Sequence, residues 1–97
     1  MTKADIINEV ASITGLSKVE VEVVLEGILA SISDSLKKGE RVDMRGVGSF
    51  IVKQRLAREA RNPATNEIVR LEERFLPAFK VSKILKEKVN KSLLRGF

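Results

Sequence analysis

The segment Arg61-Asn62-Pro63-Ala64-Thr65-Asn66-Glu67 joins two stretches of alternating residues and carries a proline where a hairpin should turn. Three residue types there can act on a polyanion. Arginine stays charged and offers a planar fork of donors suited to phosphates and narrow grooves. Asparagine both donates and accepts. Proline lacks an N–H, is stiff, and presents a flat apolar edge able to wedge between stacked base pairs. Upstream, Lys53, Arg55, Arg58 and Arg61 punctuate Leu56, Ala57 and Ala60; downstream, Ile68-Val69-Arg70-Leu71 runs back toward Glu72 and Glu73. This region has strand propensity but too few large side chains to fill an interior, which predicts a ribbon carried in solvent. At roughly 3.3 Å per residue the run from Lys53 to Arg61 spans about 30 Å. A two-stranded ribbon can enter a groove of DNA, and Arg61 and Asn62 can donate to the acceptors that A·T and T·A pairs share in the minor groove. Unstacking costs a few kcal/mol, recovered only if the bend brings more DNA against positive surface. Lys80, Lys83 and Lys86 supply such surface at the start of the last helix, whose N-terminal amides also favour phosphate. Asn-Pro alone is an ordinary turn signal. The joint occurrence of proline tip, arginine-spaced stem and missing core residues is what points to nucleic acid.

Composition agrees. The 97 residues hold 18 Lys plus Arg against 13 Asp plus Glu, and the segments 1–36, 37–61 and 62–97 carry net charges of −4, +5 and +4. The positive field belongs to the middle and end of the chain and attracts nucleic acid first, an anionic membrane second and an acidic protein third. No cysteine, histidine, tyrosine or tryptophan is present, which excludes disulfides, thiolate and imidazole metal ligands and Cys-His or Ser-His nucleophilic pairs. Neither a metal nor another cofactor is expected. Nothing near Met1 reads as a signal peptide and no apolar run approaches membrane-spanning length, so a soluble intracellular protein is expected.

The elements that must position these residues follow from periodicity. Thr2 caps a first helix through Ile6, Ile7, Val10 and Ala11, stopped by Thr14-Gly15; Ser17-Lys18-Val19-Glu20 is a capping box for a second, with Leu16 placed as a staple on Val21. The second helix has an apolar side of Val21, Val24, Leu25, Ile28, Leu29, Ile32 and Leu36, which Val19 and Val23 are expected to widen, and so broad a stripe predicts dimerisation. From Glu40 the period becomes 2: Val42 and Met44 alternate with charged residues, Gly46-Val47-Gly48 turns, and a strand runs from Ser49 to Arg55. Arg74 to Lys80 predicts a returning strand, with Pro77 marking an edge or bulge. Ser82 caps a last helix whose Ile84, Leu85, Val89 and Leu93 are expected to face inward. The plan is helix, helix, three strands with a long hairpin inserted, helix.

With these pieces in place the chain resembles the bacterial HU/IHF family of histone-like DNA-bending proteins over essentially its whole length. The resemblance rests on the helix from Lys3 to Val10, TGLSK at 14–18, RGVGSF at 45–50, RNPATNE at 61–67 and LPAFKVSKILKEKVN at 76–90. It implies an α+β fold: an intertwined dimer with a helical base, three-stranded antiparallel sheets and long protruding β-hairpin arms. Residues 1–97 then form one domain, with a helical dimerisation part at 1–38, a sheet at 40–81 whose arm occupies about 53–74, and a C-terminal helix at 82–94. Pro63 becomes the intercalating residue, and Lys53, Arg55, Arg58, Arg61, Asn62, Arg70, Arg74, Lys80, Lys83 and Lys86 the DNA-binding set. Leu29, Ile32, Leu36, Met44, Val47, Phe50 and Phe79 become the dimer core. The implied partners are double-stranded DNA, favouring bent, nicked or flexible duplexes, and a second identical chain or a paralogue. The implied place is the cytoplasm, at the bacterial nucleoid. Val47 stands where phenylalanine is common, Ala60 and Asn66 where glycine is frequent, and Val81-Ser82 where Pro-Gly or Ala-Gly is common. Ser92 to Phe97 extends past the usual end, with Leu93, Leu94 and Phe97 able to pack, touch another dimer or fray.

The implied activity is non-enzymatic bending and compaction of chromosomal DNA with little sequence preference. A sequence-specific bending host factor of the IHF type is the alternative. More remote are a basic amphipathic module for membranes or acidic proteins, built on the last helix, and a nuclease, for which Glu40, Asp43, Glu72 and Glu73 offer no convincing pocket. RNA and irregular DNA stay open as partners.

Overall fold

The computed structural model describes residues 1–94, so the expectation for Phe97 falls outside the described residues. The chain divides into two compact units, Met1–Ser35 and Leu36 onward. The first holds α1 (Lys3–Thr14) and most of α2 (Lys18–Lys37). Both helices start where the side-chain caps predict. Thr2 Oγ1 accepts the Asp5 N–H at 3.3 Å while Asp5 accepts the Thr2 N–H at 2.8 Å, and Ser17 and Glu20 exchange the same pair of bonds at 3.1 Å each. Gly15, at φ 78°, ends α1 by returning its N–H to the Ala11 carbonyl. Lys3 and Glu26 are ion-paired between the two helices.

These caps make the helix starts sensitive to acid. Backbone and side-chain bonds from Thr2 hold the Asp5 carboxyl below its ordinary range, and those from Ser17, side chain first, do the same for Glu20. A carboxyl depressed by folding contributes stability that is present above its unfolded value and lost as pH falls through the folded one. Helicity and melting temperature are therefore expected to hold from pH 7 to 5 and to fall below about pH 4. Glu20→Gln, which keeps a capping amide, should reduce that fall; circular dichroism melts across pH check it.

The second unit contains β1 (Val42–Met44), β2 (Gly48–Arg55), β3 (Arg58–Arg61), β4 (Ile68–Leu71), β5 (Arg74–Val81) and α3 (Lys83–Leu94). Strands β1, β2 and β5 form a three-stranded antiparallel sheet in the order β1-β2-β5, and β3 and β4 form a separate two-stranded one. Pro77 lies on β5, an edge strand, opposite Val52, where its missing N–H removes nothing from the interior of the sheet. The Ser82 hydroxyl accepts the Leu85 N–H at 3.1 Å, so α3 begins on a side-chain cap, and the Ser82 N–H donates to the Val47 carbonyl at 2.9 Å, tying that start to the β1–β2 turn.

Burial departs from the apolar pattern. Within one chain only Ile7 and Val21 are buried apolar side chains among the described residues. Ile84, Val89 and Leu93, expected to face inward, are exposed, and Leu85 is half-buried. Val19 and Val23 are 70% and 66% exposed; at 100° per residue they stand on the side of α2 opposite Val21 and do not widen its face. The physical reason is shared: a helix stripe is covered only by a second layer, and one copy of this chain does not provide it.

Candidate nucleic-acid interface

Strand register decides which side chains act together, because residues directly opposite one another in an antiparallel pair lie on one face and alternate along each strand. Pairing of β2 with β5 sets Phe50 against Phe79, Val52 against Pro77 and Gln54 against Phe75 on one face; on the other it sets Ser49 against Lys80, Ile51 against Ala78, Lys53 against Leu76 and Arg55 against Arg74. From β1, Val42 and Met44 join the first face and Asp43 the second. Every charged residue of the three strands is thus on one side. The apolar side carries the Phe50–Phe79 ring pair, centroids 4.9 Å apart and tilted by 56°. Of the expected dimer core, Leu29, Met44, Val47 and Phe79 are exposed in the single chain, while Ile32, Leu36 and Phe50 are half-buried.

Along the charged face the groups are largely free to meet a ligand. Lys53, Arg55, Arg74 and Lys80 are exposed. Arg55 and Arg74 are directly opposed, a like-charge pair that disfavours strand pairing until an anion lies between them. With Gln54, Leu56, Ala57 and Arg58 they line a hollow of about 430 Å³. The strands are interrupted there, at 56–57 on one side and 72–73 on the other, and Gln54 Nε2 donates to Glu73 Oε1 at 2.9 Å across the seam.

Beyond the seam none of residues 56–73 is buried. Pairing of β3 with β4 places Arg61 and Arg70 on one face, with Glu59 and Ile68, and Arg58 on the other, with Ala60, Val69 and Leu71. Arg58 therefore does not share a face with Arg61, as their odd spacing on one strand requires. Arg70 also approaches Glu72 at 3.7 Å. At the tip the loop bonds to itself. The Asn62 N–H donates to the Glu67 carbonyl at 2.8 Å, and the Asn66 N–H donates to the Asn62 carbonyl at 2.7 Å. Asn62 Oδ1 accepts the Ala64 N–H at 2.9 Å, which leaves its Nδ2 to donate outward. Arg61 reaches Asn66 Oδ1 at a long 3.4 Å. Asn66 has φ 61°, a left-handed value asparagine tolerates, so the turn survives without glycine. Pro63 is exposed at this tip.

A second hollow, of about 320 Å³, lies where the β1–β2 turn meets the start of α3, and Arg41, Arg45, Lys80 and Lys83 line it. Arg41 and Arg45 were not among the residues expected from sequence to bind; their alternation with Val42 and Met44 was the available signal. Arg41 Nε donates to Asp43 Oδ1 at 2.7 Å, and Ser49 Oγ donates to the same oxygen at 2.5 Å. These bonds, Ser49 first, hold the Asp43 carboxyl below its usual range. Lys83 stands 4.0 Å from Glu87, one turn on, and Lys86 is exposed on the same helix.

The model of one family, bacterial DNA-binding protein, matches residues 1–90, which include the charged sheet, the ribbon and its prolyl tip. The chain belongs to this family. Among HU/IHF relatives, it is 43% identical over 98 residues to integration host factor subunit beta of Marinobacter nauticus, covering all of both chains. It is 44% identical over 89 residues to DNA-binding protein HU of Thermotoga maritima, covering 92% of this chain and 99% of that one. Its structure is similar to that of HU in an Anabaena HU–DNA cocrystal, with a TM-score of 0.81 at 36% identity over 92% of this chain and 97% of that one. HU from Thermotoga maritima matches with a TM-score of 0.65 at 34% identity over 92% and 98%. The HU/IHF fold is α+β, with helices and antiparallel strands, as the sequence predicts. No helix among the described residues is long and apolar enough to cross a membrane, and no group of three or more carboxylates there could hold a metal ion.

Proposed function

We propose that this protein is an architectural component of the bacterial nucleoid that binds double-stranded DNA and bends it, acting without catalysis and with little sequence preference. The observation that carries the reading is the segregation of charge by strand register: Lys53, Arg55, Arg74 and Lys80 share the face that carries every charged residue of the three-stranded sheet. The opposite face and the uncovered stripes of α2 and α3 are the surfaces a second chain covers. HU/IHF proteins form dimers, and the near absence of a buried core in one copy supports dimerisation here. The helical part at 1–38 then serves dimerisation, and the sheet at 40–81 with its arm at about 53–74 and the helix at 82–94 serve DNA binding.

In this mechanism the charged sheet face and the start of α3 hold phosphates through Lys80, Lys83 and Lys86, joined by Arg41 and Arg45. The arms follow the minor groove with Arg61 and Arg70 on one side of the ribbon and Arg58 on the other, and Pro63 enters between base pairs while Asn62 donates to their edges. Each step relies on charge, shape or stacking and needs no base-specific contact.

Salt tests the phosphate component. Two copies of the four sheet-face cations alone would neutralise eight phosphates, which predicts a slope of log affinity against log salt of about −7 or steeper. Fluorescence anisotropy of a labelled duplex between 50 and 200 mM salt measures it, and a flat dependence would remove the charged face from the mechanism. Competition separates the alternative reading, a sequence-specific host factor: random duplex should displace a bound site as readily as the site displaces itself.

A further inference from the structure

An apolar strip crosses the charged face of the sheet. Ile51 and Ala78 are direct cross-strand partners and half-buried, and Leu76, paired with Lys53, is 40% exposed. Lys80 bounds this apolar strip at one end, Arg55 and Arg74 at the other, and Lys53 lies beside Leu76. Core formation does not account for it. Strand alternation fixes these three side chains on the face opposite Phe50, Val52, Phe75, Pro77 and Phe79, and none can turn to join them without breaking register.

An apolar surface framed by cations fits an amphiphilic ligand. In a nucleic acid, the groups between successive phosphates are the sugars. A deoxyribose presents only C–H bonds at C2′, whereas a ribose presents a hydroxyl that both donates and accepts. Pressed against isoleucine, alanine and leucine, that hydroxyl loses its water, while Lys53 and the other cations around the strip are engaged by the phosphates on either side of the sugar. The nearest hydroxyl on this face, that of Ser49, is already engaged with Asp43 and Arg41.

We infer that the Ile51–Ala78–Leu76 strip discriminates against ribose, so that this protein selects DNA over RNA by refusing the 2′-hydroxyl. The inference rests on the nucleic-acid reading of this face and adds a specificity determinant to it. One hydroxyl left unpaired lowers affinity about tenfold.

RNA also differs from DNA in groove shape, so the test must separate hydroxyl from helix form. Three duplexes of one sequence suffice: DNA, RNA, and RNA carrying 2′-fluoro in place of each 2′-hydroxyl, which keeps the A-form while removing the donor. Binding is measured for the wild type, for Ile51→Val, which stays apolar, and for Ile51→Thr, which keeps the β-branch and supplies a hydroxyl partner. Wild type and Ile51→Val are expected to bind the fluoro duplex about tenfold more tightly than RNA, and Ile51→Thr to close that gap. Should Ile51→Thr not fold, as judged by circular dichroism, Leu76→Thr makes the same comparison. DNA binding with equal affinity for the fluoro and RNA duplexes, or a gap that persists in the threonine variants, overturns the inference and leaves the DNA reading standing. A wild type that binds none of the three overturns both.

Discussion

Pro63→Ala is expected to abolish the preference for nicked over intact duplex and to reduce the bend angle of bound DNA, while binding to intact linear duplex weakens little. The variant is clean because the tip does not depend on the proline for its shape. The Asn62 N–H to Glu67, the Asn66 N–H to Asn62 and the Ala64 N–H to the Asn62 side chain all form without it. What alanine removes is the rigid apolar ring that opens a base step. Opening a step costs a few kcal/mol, and a nick removes part of that cost. A wedge contribution of about 2 kcal/mol corresponds to about thirtyfold in affinity, which gel mobility with phased bends and anisotropy with nicked and intact duplexes resolve. An unchanged bend angle in Pro63→Ala would remove Pro63 from the mechanism.

Gly48→Ala is expected to destabilise the protein by about 1–3 kcal/mol, as overpacking does. Gly48 is buried at the start of β2, opposite Val81. A Cβ there would lie 2.6 Å from Phe79 Cζ and press still closer on the Lys80 carbonyl oxygen. The ring belongs to the Phe50–Phe79 pair and the carbonyl to the β5 backbone, so neither yields without parting the two strands. That would displace Lys80 and the start of α3, and DNA affinity should fall along with stability. Gly27→Ala supplies the opposite sign: a Cβ at this α2 position meets nothing within 4 Å, and alanine in a helix interior gains about 1 kcal/mol over glycine. Urea unfolding of the two variants at one protein concentration checks both.

Local chemistry made most elements legible. Thr2, Ser17 and Ser82 each cap the helix they precede, and Gly15 ends α1. The period of 2 around Phe50 and Phe79 marked the strands, Pro77 marked an edge, and the arginine-spaced stretch between them became a ribbon of its own. These signals are readable because caps, turns and alternation act over a few residues. The apolar positions of α2 and α3 were equally visible, but their burial was not, since one copy of the chain leaves most of them uncovered.

The amino-acid order by itself determined the elements, the charge asymmetry, the prolyl tip and the resemblance that names the family. Only tertiary structure decided which cations work together. It gathered Lys53, Arg55, Arg74 and Lys80 from two strands onto one face, set Arg70 of β4 on the face of Arg61, brought Arg41 and Arg45 to the hollow beside α3, and set an apolar strip among the charges. The reason is physical: the face a strand residue occupies follows from its own alternation, but the neighbour it meets there follows from register, and register is set by pairing between residues far apart in the chain.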